Sequence, residues 1–203
     1  IFMIFDNKIR ELSKCLNNKK YKKILIITGK NSYFKSGANA ILKSIIIDKD
    51  VSIFFKKNFV PEIKELKKIV KLTENFMPDL ILAIGGGTVI DYSKIVSCTD
   101  YNEISFRKIF LGKVNHKKKY ELCVIPTTAG SGAEVTSNSV IFMKKRKFSF
   151  ENQNLIPDNF FLIPSLILKL NKRIKASSGF DAISQAIESL ISVKSNKKSV
   201  YFA

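Results

Sequence analysis

The chain has 203 residues, 45% of them apolar, and a mean hydropathy near zero; this suffices for one full core and part of a second, and excludes a disordered chain. Its apolar runs are strand-sized and fall short of the about 20 residues that cross a bilayer, so a membrane protein is not expected. The formal charge of +18, from 35 basic and 17 acidic residues, raises nucleic acid as a partner. Only Arg10, Arg107, Arg146 and Arg173 are arginine, however, and the lysines spread from Lys8 to Lys198 without a recognition motif. With Ile, Asn and Phe also abundant, the excess reads as genome composition, and no nucleic-acid partner is expected.

The first five residues are apolar, but Asp6, Lys8 and Arg10 follow at once, with no basic leader and no small-residue cleavage site. No secretion signal is read there, and the missing initiator Met suggests a lost start. Cys15, Cys98 and Cys123 are odd in number and lack Cys-x-x-Cys spacing, which argues against a disulfide framework or structural zinc and for a reducing cytoplasm. Residues 24–28 form a strand candidate ending at Gly29, and the stretch to Ser44 a helix with Phe34, Ala38, Ile41 and Leu42 on one side. Residues 51–55 are the next strand. Pro61 opens a helix whose apolar positions, Ile63, Leu66, Ile69, Val70 and Leu72, recur at helical spacing. The unit repeats at residues 80–84, stopped by Gly85, Gly86 and Gly87, with Thr88 capping a helix through Asp91, Lys94 and Val96.

Strands alternating with helices predict a doubly wound α/β fold, a parallel sheet covered on both faces. After a strand at residues 122–125 the texture changes. A small, polar, glycine-bearing loop over 126–136 leads to a hairpin of 139–143 and 147–150. Beyond Pro157 and Pro164 the chain turns helical, with Ser177, Ser178 and Gly179 ahead of a stripe of Ala182, Ile183, Ala186, Ile187 and Leu190. A boundary near Pro164 gives an α/β domain over 1–164 and the start of an all-helical domain over 165–203. About 40 residues are too few to bury a helical core alone.

Three glycines between a buried strand and a helix allow the backbone to approach a ligand closely, and the helix start presents free N–H groups and partial positive charge. That makes a phosphate cradle, or else a tight turn. The surrounding residues favour the cradle. Gly-Gly-Gly-Thr-Val-Ile-Asp-Tyr-Ser-Lys at 85–94, Pro-Thr-Thr-Ala-Gly-Ser-Gly-Ala-Glu-Val-Thr at 126–136 and Gly-Phe-Asp-Ala-Ile-Ser-Gln-Ala-Ile-Glu-Ser at 179–189 resemble, in order and spacing, three motifs of the iron-containing alcohol dehydrogenases. The resemblance covers nearly all of the chain, while the family's chains run to nearly twice its length and continue into further helices.

The resemblance implies a Rossmann-like sheet that binds NAD(P)H and a divalent metal, Fe2+ or Zn2+, in the full-length parent. Gly85, Gly86, Gly87 and Thr88 would hold the cofactor pyrophosphate, with Asp91 in the same motif. Thr127, Thr128 and Ser131 would line the nicotinamide and its ribose, or else form a simple turn. Lys147 matches a lysine that reaches the cofactor ribose, or is a solvated hairpin charge beside Lys144, Lys145 and Arg146. Gly29 stands where NAD-preferring members usually place an aspartate; with Lys30 beside it, the site should tolerate NADP(H). Asp181 and position 185 have the i, i+4 spacing of the first metal ligands, but position 185 is Gln185 where the family has histidine. The alternative for Asp181 is a helix N-terminal carboxylate. The only histidine, His116, lies in a lysine-rich loop.

The wording around Gln185 looks most like a branch containing phosphonoacetaldehyde reductases. The expected activity is a metal-assisted alcohol dehydrogenase or aldehyde reductase acting on a small aldehyde or alcohol, with a homodimer allowed. The competing expectation is a nucleotide-binding protein without catalysis, its metal site lost.

Overall fold

The computed structural model describes residues 2–111, 113, 117–144 and 146–203, and His116 lies outside them. Helix α1 (Phe2–Leu16) leads into strand β1 (Lys23–Gly29), short helices α2 (Lys30–Phe34) and α3 (Ala38–Ile45), strand β2 (Asp50–Lys56), helix α4 (Ile63–Phe76) and strand β3 (Leu80–Gly85). Helices α5 (Gly87–Ser97) and α6 (Glu103–Phe110) precede strand β4 (Glu121–Pro126) and a hairpin of β5 (Asn138–Met143) and β6 (Arg146–Glu151). A two-residue strand β7 (Asn159–Phe160) and helices α7 (Pro164–Leu168), α8 (Lys172–Ile191) and α9 (Lys197–Phe202) follow.

The main sheet is parallel throughout, in the order β2-β1-β3-β4-β7. Its alternating residues serve two cores. Leu80, Leu82 and Ile84 of β3 pack with Leu12, Leu16 and Leu42 on one face, while Ile81 and Ala83 pack with Leu66, Ile69, Val89 and Ile95 on the other. Burial on both faces is what a parallel sheet with crossover helices requires, and it accounts for the continuous apolar run of β3. From β1 the chain steps outward to β2 and then back past β1 to β3. The direction of winding therefore reverses between β1 and β3, and the crevice beyond their carboxyl ends is where ligands bind in such sheets.

Several boundaries depart from the sequence expectation. The helix predicted up to Ser44 is two helices, α2 and α3, joined through Gly37 at φ 91. Pro61 does not open α4: its carbonyl accepts from the Phe142 amide at 2.6 Å, which keeps the chain extended until Ile63. Thr88 is not the cap of α5, since Gly86 occupies that position. Gly179 does not precede the last long helix but lies within it, because Asn171 caps α8 by accepting from the Ile174 amide at 2.9 Å. Asp181 is consequently mid-helix, and its reading as an N-terminal carboxylate is overturned. Helices α1 and α6 and strand β7 were not foreseen.

No residue of α8 is buried, and its apolar stripe stands open, with Phe180 70% and Ile183 55% exposed. Among the described residues no helix is long and apolar enough to cross a membrane. Leu82, fully buried in β3, tests the placement of the core. Leu82→Ala should lower stability by about 2–5 kcal/mol in urea unfolding, and an unchanged midpoint would contradict this assignment.

Candidate functional site

The crevice is assembled from the ends of three neighbouring strands. Gly29 ends β1, Gly85 ends β3 and Pro126 ends β4, with Gly85 and Pro126 in register. The Thr28 hydroxyl donates to the Ile84 carbonyl at 2.7 Å, and the Thr127 amide donates to the Gly85 carbonyl at 3.0 Å, so adjacent strand ends are tied together. Gly86 then starts α5. A Cβ on Gly86 would lie 2.9 Å from the Thr128 hydroxyl, and one on Gly87 would lie 3.3 Å from the Ser131 hydroxyl. The glycine turn and the threonine loop thus pack directly on each other, and a side chain at position 86 would press on that of Thr128. The start of α5, where a helix carries partial positive charge, lies at the carboxyl end of β3.

Thr127 supplies the most informative atom. Its hydroxyl is buried and has no hydrogen-bond partner, the one such side-chain atom among the described residues. A buried hydroxyl left unsatisfied costs stability, which sets this position apart from the rest of the core.

On α5 the Thr88 hydroxyl donates to the Phe59 carbonyl at 2.9 Å and so holds the loop between β2 and α4. Asp91 is mostly buried, and burial pushes its carboxyl up to about 6 against the opposing charges of Lys94 and Lys147. Lys94 is fully buried and donates to the Thr136 carbonyl (2.7 Å), the Thr136 hydroxyl (3.0 Å) and the Asn138 carbonyl (2.9 Å). Burial pulls this amine down to about 8. Lys94 therefore fastens the far end of the threonine loop and the start of β5 to α5. Lys147 is exposed on β6 and reaches the site through its field at Asp91.

The third motif reaches the same region by its backbone. A Cβ on Gly130 would lie 2.5 Å from the Ser178 carbonyl oxygen, so the threonine loop abuts α8 at a point where no side chain fits. Asp181 and Gln185 follow one turn apart on α8, both exposed. Among the described residues no group of three or more His, Cys, Asp or Glu side chains could hold a metal ion. One carboxylate and one amide fall short of a tight iron or zinc site, so these residues do not fit the expected metal.

A cavity of about 1160 Å3 lies elsewhere, between the hairpin and the start of α4, lined by residues including Ile63, Lys64, Phe142, Arg146 and Phe148. Its lining includes none of the glycine or threonine residues of the crevice. Sequence reasoning missed two lysines. Lys94 was visible only as part of a motif, and Lys56, one of two adjacent lysines at the end of β2, carries no sequence signal that sets it apart.

The sequence profile of the iron-containing alcohol dehydrogenases matches residues 2–164. The chain is 35% identical over 138 residues to the 4-hydroxybutyrate dehydrogenase of Clostridium kluyveri, a match covering 67% of this chain and 37% of that one. The NADH-dependent butanol dehydrogenase of Thermotoga maritima shares the fold, with a TM-score of 0.85 at 22% identity over 97% of this chain and 50% of that one. The sulfoacetaldehyde reductase of Bifidobacterium kashiwanohense, solved in complex with NAD+, matches with a TM-score of 0.77 at 25% identity over 90% of this chain and 49% of that one. The chain thus spans about half, or less, of the length of these proteins. With the family profile matching residues 2–164, a span that holds the parallel sheet, the glycine turn and the threonine loop, the chain belongs to the iron-containing alcohol dehydrogenase family.

Proposed function

We propose that this chain is the dinucleotide-binding part of an NAD(P)H-dependent alcohol dehydrogenase or aldehyde reductase. The observation that carries the reading is the unsatisfied Thr127 hydroxyl beside a glycine turn that the threonine loop packs against. In this reading Gly85, Gly86 and Gly87, with the start of α5, hold the pyrophosphate. Thr128 and Ser131 line the nicotinamide ribose, and Thr127 donates to the cofactor. Asp91 and Lys147 set the field beside it, and Thr88 keeps the neighbouring loop in place. When bound, the nicotinamide carries the hydride exchanged between alcohol and aldehyde. Residues 1–164 act as the cofactor domain, and 165–203 begin the helical one.

The substrate we infer is a small aldehyde, phosphonoacetaldehyde foremost. The Ser-Gln-Ala-Ile-Glu-Ser wording of α8 supports it, as does similarity to a sulfoacetaldehyde reductase, whose named substrate carries a sulfonate in the phosphonate's place. The three cysteines are free, in keeping with a cytoplasmic protein. Gln185 favours a second reading, a nucleotide-binding chain without turnover. Oxidation of NADPH on addition of phosphonoacetaldehyde separates the two: turnover supports the reductase, and binding without turnover supports the second reading.

Thr127→Val tests the site directly. Because the hydroxyl has no partner to lose, the variant should keep its stability or gain about 1 kcal/mol in urea unfolding, while NADPH affinity falls about tenfold. A loss of stability with unchanged affinity would assign Thr127 to the fold alone.

Asp91 adds a pH signature. Folding raises its carboxyl from 3.8 to about 6, so the folded state binds the proton more tightly and this group's contribution to stability declines as pH rises through that window. Asp91→Asn should flatten that decline and be the more stable protein above it. Urea midpoints taken on both sides of the window check this, and parallel curves for the two proteins would refute it.

A further inference from the structure

We propose that Lys56 selects NADPH over NADH by meeting the phosphate on the 2′ position of the adenosine ribose. The inference rests on the cofactor reading above and names a residue that the family motifs do not include. Gly29 and Lys56 are register partners at the carboxyl ends of β1 and the edge strand β2, and β1 is one of the two strands between which the winding reverses. Position 29 has no side chain, and a Cβ there would sit 3.6 Å from the Ser32 hydroxyl oxygen, 3.8 Å from Lys56 Cε and 3.9 Å from its Cγ. The Ser32 hydroxyl and the Lys56 side chain therefore lie directly against position 29.

The surroundings of Lys56 suit an anion. The side chain is half-buried, its amine donates to the Asn58 carbonyl at 2.8 Å, and it forms no salt bridge among the described residues. The nearest acidic influence is Glu65, whose carboxylate already accepts from the Lys57 amide (2.6 Å), the Asn58 amide (3.2 Å) and the Tyr92 hydroxyl (2.9 Å). Burial pulls the Lys56 amine below its ordinary value, the mark of a cation short of compensating charge. A ribose phosphate supplies that charge, whereas the hydroxyl of NADH supplies only a hydrogen-bonding group. Lys30, the cation that sequence alone placed beside Gly29, is exposed, and an exposed charge is screened where a half-buried one is not.

The test is binding of NADPH and of NADH to the chain, read from nicotinamide fluorescence, for the unaltered protein, Lys56→Met and Lys56→Arg. The unaltered protein should prefer NADPH. Lys56→Met should weaken NADPH about tenfold or more while NADH stays within about twofold, and Lys56→Arg should keep the original ratio. An unchanged ratio in Lys56→Met, or equal loss of both nucleotides, overturns the proposal. If the unaltered protein prefers NADH, the proposal likewise fails, with the cofactor reading intact. Binding of neither nucleotide overturns the cofactor reading and this inference together. Should Lys56→Met not fold, Lys56→Gln retains a donor for the Asn58 carbonyl and is judged by the same ratio.

Discussion

The site depends on how closely the chain is held where β3 and β4 end. Gly85 faces Pro126 across the sheet, the next amide of one strand bonds to the last carbonyl of the other, and a side chain at position 86 would press on that of Thr128. Parallel pairing fixes the height of both strand ends, and the absence of a side chain lets the turn and the loop close upon each other. Everything downstream inherits that position. The threonine loop crosses the start of α5, Lys94 holds its far end, and Gly130 brings its middle against Ser178 of α8. Segments more than 40 residues apart in sequence are thus joined by short-range backbone approaches, which leave little freedom for the loop to drift.

Such precision has an energetic cost, concentrated on α5. Asp91 and Lys94 lie one turn apart, and burial disfavours the charge on each while their mutual attraction partly restores it. Lys94 is compensated by three oxygen acceptors, so its charge organises the loop instead of threatening the core. Thr127 is left without even one acceptor. Costs of this kind gather where a protein prepares for a ligand, because the ligand and not the fold completes the hydrogen bonding.

The sheet was legible in the sequence because parallel strands buried on both faces are continuous apolar runs, and residues 24–28 and 80–84 are such runs bounded by glycine. The hairpin was legible from two short segments flanking a basic turn, and in β5 Ser139, Ile141 and Met143 are the buried positions. Helix α1 has little to mark it in the sequence, since only Leu12 and Leu16, one turn apart, are fully buried along it among the described side chains. Strand β7 has two residues and no periodicity to find. The caps were misplaced for a shared reason: a glycine at a helix start or within a helix is decided by what packs against it. Gly86 caps α5 where a side chain would press on Thr128, and Gly179 sits inside α8 because Asn171 begins the helix earlier. Lys56 was invisible for a related reason, as its importance comes from a partner on the adjacent strand.

The open stripe of α8 and the charge of +18 act against each other in solution. Phe180, Ile183, Ile187 and Leu190 present a surface that water disfavours, and two such surfaces attract when they meet. The excess of lysine keeps copies of the chain apart, over a range that shrinks to about 10 Å at 0.1 M salt. Of these two forces only the repulsion weakens as salt is added.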